Sequence, residues 1–269
     1  MAIMEENMLR VLMVGDIVGR PGRRAVKVLL KNYRKKYNID MIIANGENAA
    51  GGNGINNSIA NELYDCGIDI ITMGNHTWDK REILEFIDHD YSLIRPANYP
   101  SGTPGRGSVI YKQDGIKIGV INLAGRVFLA PLDCPFRTAE KLVENIRKET
   151  PIIIIDFHAE ATSEKIAFGW HMDGRASAVI GTHTHVQTAD ERILPQGTGY
   201  ITDVGMTGPR DSVLGVDKEM VIKKFVTQMP VRFEVPGGEI QFNSIILDIC
   251  KNTGKTLKIE RLNEIISSE

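Results

Sequence analysis

Five short apolar runs in this chain each stop at side chains of the kinds that bind metal ions, and that recurrence constrains the fold more than any bulk property does. Leu9-Arg-Val-Leu-Met-Val14 runs into Gly15-Asp16, and Ile39-Asp-Met-Ile-Ile-Ala44 into Asn45-Gly46-Glu47-Asn48. Ile68-Asp-Ile-Ile-Thr72 leads to Gly74-Asn75-His76, Pro151-Ile-Ile-Ile-Ile155 to Asp156-Phe-His158, and Val179-Ile-Gly-Thr182 to His183-Thr-His185. Apolar runs this short, with little alternation, predict strands buried on both faces. An α/β protein places its sites at the carboxyl ends of such strands, which is where these ligand types fall.

The connections support a largely parallel sheet. After Asp16, the residues Val26, Leu29, Leu30, Tyr33 and Tyr37 fall at helical spacing among lysines and arginines. After Asn48, the glycine-rich stretch through Gly54 leads to a short helix closing near Cys66-Gly67. Asp79-Lys-Arg-Glu82 has capping-box spacing and predicts a helix through about His89. Crossovers of this length join parallel strands. The middle differs: Gly107–Tyr111 and Ile116–Asn122 flank Asp114-Gly115 and predict a hairpin. Arg126 to Arg137 reads as an irregular loop, with Thr138 capping a helix to about Lys148 and another helix following Ser163. Gly199–Asp203 reads as a strand. Towards the C-terminus, Val231–Val235, Glu239–Phe242 and Ile245–Ile249 read as three further strands, with turns at Pro236-Gly-Gly238 and Asn252-Thr-Gly254. Two mixed sheets packed together with helices outside, a four-layer α/β/β/α sandwich, would house these elements.

Composition narrows the function. The formal charge is −2 over 269 residues, which leaves no broad basic surface for duplex nucleic acid or an anionic membrane. A small substrate is the better expectation. Cys66, Cys134 and Cys250 lie far apart with no C-x-x-C pair, so neither a disulfide framework nor a zinc ribbon is indicated. The N-terminal Met1-Ala-Ile-Met-Glu-Glu-Asn carries acids where a secretory signal needs basic residues, and no window approaches a membrane span. A cytoplasmic protein, with self-association possible, is the expectation.

Taken singly, Asp16 could be a helix cap, Asn75 a turn residue and His158 a hydrogen-bonded core histidine. Arriving together at strand ends, Asp16, Glu47, Asn48, Asn75, His76, His158, His183 and His185 indicate a metal site. Carboxylate, imidazole and amide oxygen ligands suit iron, manganese or zinc better than calcium or magnesium. The set is too large for one ion; two ions bridged by a carboxylate account for the excess and suit phosphoester hydrolysis.

These motifs resemble, in order, those of the calcineurin-like metallophosphoesterase superfamily. The forms Gly-Asp-Ile-Val-Gly, Asn-Gly-Glu-Asn, Gly-Asn-His-Thr-Trp-Asp, Asp-Phe-His-Ala-Glu and Gly-Thr-His-Thr-His are similar to its bacterial YmdB-type branch. The similarity runs from Leu9 to the end of the chain as one domain, 9–269, with residues 1–8 as an extension. Two departures from the wider superfamily stand out. Val18 occupies the place of a usual histidine two residues after Asp16, and the bridging acid is Glu47 rather than aspartate. Asn48 could supply its amide oxygen in place of the missing imidazole.

The resemblance implies Asp16, Asn48 and His185 on one ion, Asn75, His158 and His183 on the other, Glu47 between them, and His76 as proton donor. It implies a phosphodiesterase acting on small cyclic nucleotides, especially 2′,3′-cyclic monophosphates, with water activated by the metal pair. A phosphomonoesterase or protein phosphatase, and a regulatory protein that keeps the metal only to bind a nucleotide or partner, are the competing readings. Gly19-Arg-Pro-Gly22 and Ala50-Gly-Gly-Asn-Gly54 are candidate phosphate cradles, and Thr202–Gly208 is a candidate pocket wall.

Overall fold

The computed structural model describes residues 7–267. The expected extension over residues 1–8 falls mostly outside the described residues, and Met8 already belongs to the first strand. One sheet has eight strands. Its order is β2 (Asp16–Ile17), β12 (Met206–Pro209), β13 (Ile240–Cys250), β1 (Met8–Val14), β3 (Met41–Asn45), β4 (Ile70–Thr72) and β5 (Leu93–Ile94), with β14 (Thr256–Ile266) also paired to β13. The second sheet runs β10 (Arg192–Ile193), β11 (Gly199–Ile201), β9 (Ala178–Thr182), β8 (Ile153–His158), β7 (Ile116–Ala124) and β6 (Ser108–Gln113). Strands β1, β3, β4 and β5 are mutually parallel, as are β7, β8, β9 and β11. Antiparallel β13 and β6 make both sheets mixed.

Side-chain alternation explains why there are four layers. In β1, Leu9, Val11 and Met13 meet Ile118, Val120, Ile154 and Ile180 of the other sheet. Leu12 and Val14 point the opposite way, onto Ala25, Val26, Leu29, Leu30 and Tyr33 of α1 (Gly19–Lys36) and Leu63 of α2 (Asn57–Asp65). On the far side, Ile153, Ile155 and Phe157 pack on α3 (Pro135–Ile146) and α4 (Thr162–Met172). Each fully buried aliphatic side chain contributes about 1.5–3 kcal/mol. A middle layer built from many of them therefore outweighs backbone strain of about 1–3 kcal/mol per residue at the sheet edge.

Several boundaries differ from those expected. The helix after Asp16 begins at Gly19, with Pro21 in its first turn, where the missing N–H costs nothing. Pro135 likewise starts α3 three residues before Thr138, shortening the irregular loop. Glu239–Phe242 and Ile245–Ile249 are one continuous strand, because β1 and β14 pair along both sides of it. Val231–Val235 is not a strand. It joins no ladder among the described residues; the Glu234 carbonyl accepts from the Asp217 N–H at 2.9 Å, and Val235 packs over Gly19 and Gly52. Helix α5 (Lys218–Thr227), capped by Asp217 accepting from the Met220 N–H at 3.1 Å, carries no inward apolar stripe and buries only Val221. That explains why periodicity gives it no signal. No helix among the described residues is long and apolar enough to cross a membrane.

Candidate metal centre

All eight candidate residues lie at or just beyond the carboxyl ends of β1, β3, β4, β8 and β9. Three of these strands belong to one sheet and two to the other, so the site bridges the sandwich. Close backbone approaches make the bridge possible. A β-carbon on Gly15 would lie 2.0 Å from the Gly205 carbonyl, and one on Gly181 would lie 1.8 Å from that of Thr202. The Asp16 N–H donates to the Gly205 carbonyl at 3.0 Å, and the His183 N–H donates to Asp16 Oδ2 at 3.3 Å.

Four potential donors of electron pairs converge at one point. His158 Nε2 is 2.9 Å from Glu47 Oε1, 3.0 Å from Asn75 Oδ1 and 3.0 Å from His183 Nδ1. Glu47, His158 and His183 each bring a ligand atom within 4.8 Å of the others. Beside them, Asp16 Oδ1 and Asn48 Oδ1 are buried oxygens with no hydrogen-bond partner. Asn48 is turned that way because its Nδ2 donates to the Gly52 carbonyl at 2.9 Å. His185 Nε2 stands 3.8 Å from Asp16 Oδ1. Converging lone pairs and orphaned oxygens in a dry edge are what a cation site requires, and this donor set fits transition metals.

The outer contacts aim each imidazole. His158 Nδ1 lies 2.9 Å from Thr182 Oγ1, whose hydroxyl donates to Asp156 Oδ1 at 2.7 Å, so Nδ1 carries the proton and donates to Thr182. His183 Nε2 faces Glu160 Oε2 at 3.0 Å, and His185 Nδ1 faces the Leu214 carbonyl at 3.0 Å. In each ring one nitrogen is committed to an acceptor away from the point of convergence, which leaves the other facing inward with its lone pair available. His183 and His185 both adopt positive φ, 102° and 65°, a conformation that costs a non-glycine residue about 1–3 kcal/mol and clusters at functional sites.

Electrostatics follow from burial. Burial resists charging both Glu47 and His158, but their mutual attraction wins: Glu47 is held down to about 2 and His158 is raised to about 9. Burial and the neighbouring His158 charge push His183 down to about 3. Burial raises Asp16 despite attraction to His185 and His158, and it lifts Asp156, beneath Thr182, to about 6.

His76 differs from the other histidines. Its ring Nδ1 bonds Asp79 Oδ2 at 2.9 Å, its N–H donates to Glu47 Oε2 at 2.9 Å, and its side chain is 36% exposed. Asp79 is therefore not a helix cap. Its carboxylate serves His76 and Asn53, and the expected helix is a 3-10 turn, Arg81–Glu85, that starts after Lys80. In the glycine-rich loops the N–H groups of Gly19 and Gly52 donate to the Asn48 carbonyl and that of Ala50 to Gly54, so these three are already engaged within the chain. His171 pairs with Glu140, and Trp78 packs edge-on against Tyr99.

Sequence reasoning did not single out Thr182, Glu160, Leu214 or Lys165. Only the placement of Thr182 and Glu160 one or two residues from a histidine could have marked them. Gly74 shows how tight the centre is: an added β-carbon would sit 2.3 Å from His158 Nε2 and 2.4 Å from Glu47 Oε2. Gly74→Ala is expected to lower metal binding severalfold and also to destabilise the metal-free protein by about 1–3 kcal/mol, because the buried Glu47 and His158 must shift. Elemental analysis beside thermal unfolding checks this.

The chain is 56% identical over 254 residues to a Bacillus subtilis protein named 2′,3′-cyclic-nucleotide 2′-phosphodiesterase, covering 94% of this chain and 96% of that one. Its fold matches a solved structure from Mycoplasma pneumoniae described as a novel phosphatase, with a TM-score of 0.91, 35% identity and coverage of 97% and 95% of the two chains. It also matches a hypothetical protein from Thermus thermophilus, with a TM-score of 0.90, 40% identity and coverage of 96% and 99%. A family model described as YmdB-like protein spans residues 12–262, which takes in every strand-end candidate from Asp16 to His185, and the chain belongs to that family.

Proposed function

We propose that this protein is a dinuclear-metal phosphodiesterase that hydrolyses small phosphodiesters, 2′,3′-cyclic nucleotides in particular. The observation that carries the reading is the convergence of Glu47, Asn75, His158 and His183 beside the unpartnered oxygens of Asp16 and Asn48. Asp16, Asn48 and His185 would hold one ion and Asn75, His158 and His183 the other, with Glu47 shared. Iron or manganese suits the mixed oxygen and nitrogen donors, with zinc as an alternative. When bound, such a pair supplies Lewis acidity at the phosphoryl group and lowers the pKa of water towards about 7.

The chain's own residues do the rest. His76 has Nδ1 fixed on Asp79, so its Nε2 edge is the one left to give a proton to a departing alkoxide. The Asp79 carboxylate orients the ring for that transfer. A cavity of about 430 Å³ opens beside His185, lined by Gln187, Arg210, Gln241, Asn243 and Arg261, and its amides and guanidinium groups suit a nucleoside. The Bacillus relative's name supports the cyclic nucleotide, whereas the Mycoplasma structure's description supports a phosphomonoester.

Metal-stripped protein reconstituted with manganese or iron should turn over 2′,3′-cyclic nucleotides faster than linear diesters or monoesters. A preference for monoesters would favour the phosphatase reading, and no turnover of any phosphoester would favour a binding protein.

A further inference from the structure

We infer that the buried ion pair Lys165–Asp203, which touches no proposed ligand side chain, is the positioning device that sets both metal sites at once; the inference rests on the metal reading above. Lys165 and Asp203 are 1% and 0% exposed, and Lys165 Nζ meets Asp203 Oδ2 at 2.6 Å. A lysine and an aspartate this deep, on a helix and a loop outside the ligand motifs, need a reason to be there.

The hydrogen bonds supply the reason. Lys165 Nζ also donates to the Thr182 carbonyl at 2.6 Å, and Asp203 Oδ2 accepts from the Thr184 N–H at 3.0 Å. Thr182 and Thr184 flank His183, so the pair grips the chain on both sides of a residue held at a φ of 102°. The other carboxylate oxygen, Asp203 Oδ1, accepts from the Gly205 N–H at 2.8 Å. Gly205 in turn takes the Asp16 N–H on its carbonyl at 3.0 Å, and the next residue, Met206, donates to the His185 carbonyl at 3.2 Å. One carboxylate and one ammonium thus fix the backbone at His183, proposed for one ion, and at Asp16 and His185, proposed for the other. A backbone that would relax from positive φ is held by charge-assisted bonds, which are stronger than neutral ones.

Lys165→Met with Asp203→Asn removes both charges without leaving either one buried alone. A second variant, Asp203→Asn alone, keeps an oxygen for Lys165 but loses one backbone clamp. A control, Arg10→Met with Asp248→Asn, removes an ion pair in β1 and β13 far from the ligands, where Arg10 Nε meets Asp248 Oδ1 at 2.6 Å.

Two measurements are made on folded protein. In the first, manganese titration followed by electron paramagnetic resonance, stripped wild type takes up two ions. The double variant should bind both of them about 10- to 100-fold more weakly, the usual loss when outer support of a ligand is removed. Asp203→Asn should weaken binding at least as much, because it also leaves the Lys165 charge buried without its counter-ion, and the control should match wild type. In the second, hydrogen exchange of the metal-free proteins, amides from Thr182 to Gln187 should exchange at least about tenfold faster in the double variant than in wild type or control. A double variant with wild-type manganese affinity, or with unchanged exchange over that segment, overturns the inference. Wild type that binds no manganese overturns the metal reading instead, and the exchange comparison still decides the role of the pair.

Discussion

Glu47→Ala should fold, lose both ions and lose turnover by far more than the roughly 100-fold that removal of an outer-shell partner costs. Its carboxylate reaches two parts of the centre. Oε1 sits 2.9 Å from His158 Nε2, and Oε2 accepts the His76 N–H at 2.9 Å, so truncation removes the carboxylate proposed to be shared and frees the segment carrying Asn75 and His76. His183→Ala is the comparison, because it deletes one ligand and should leave the Asp16–Asn48–His185 side able to hold an ion. Elemental analysis and turnover of a 2′,3′-cyclic nucleotide, with thermal unfolding as a check on folding, separate the two variants. Full metal content together with wild-type turnover in Glu47→Ala would show that the carboxylate is not shared.

His76→Ala should keep both ions and lose roughly 10²- to 10⁴-fold in rate, the contribution of a positioned proton donor. The loss should depend on the leaving group. A nucleoside alkoxide needs the proton and should show the full effect, while a nitrophenolate departs without one and should show little. Asp79→Asn should fall in the same direction and less far, since it leaves His76 in place but removes the carboxylate 2.9 Å from its Nδ1. Release of metal from His76→Ala, or equal slowing of both substrates, would move His76 to ligand or phosphate positioning.

Much of the fold could be read from local pattern. Apolar runs from Leu9, Ile39, Ile68, Pro151 and Val179 became β1, β3, β4, β8 and β9, because a strand buried on both faces needs little beyond a short β-prone apolar stretch. The hairpin about Asp114-Gly115 formed with Gln113 opposite Ile116. The elements that escaped are those whose state is set by neighbours. Val231–Val235 has strand composition but no paired strand among the described residues, and α5 is helical without a buried stripe, so neither burial nor periodicity reports it.

The sequence by itself determined which chemical groups could reach one edge. Asp16, Glu47, Asn48, Asn75, His76, His158, His183 and His185 each follow an apolar run, and a strand delivers the residues after it to the sheet's carboxyl end wherever the strand sits. It could not say which groups face each other. That Glu47 meets His158, far along the chain, depends on two sheets packing face to face, and that Thr182, Glu160 and the Leu214 carbonyl each claim one nitrogen of a histidine depends on register and loop path. Only the tertiary structure decided the tautomers, the orphaned oxygens of Asp16 and Asn48, and the buried Lys165–Asp203 clamp, because hydrogen bonds of about 3 Å are fixed by packing across layers that local pattern does not encode.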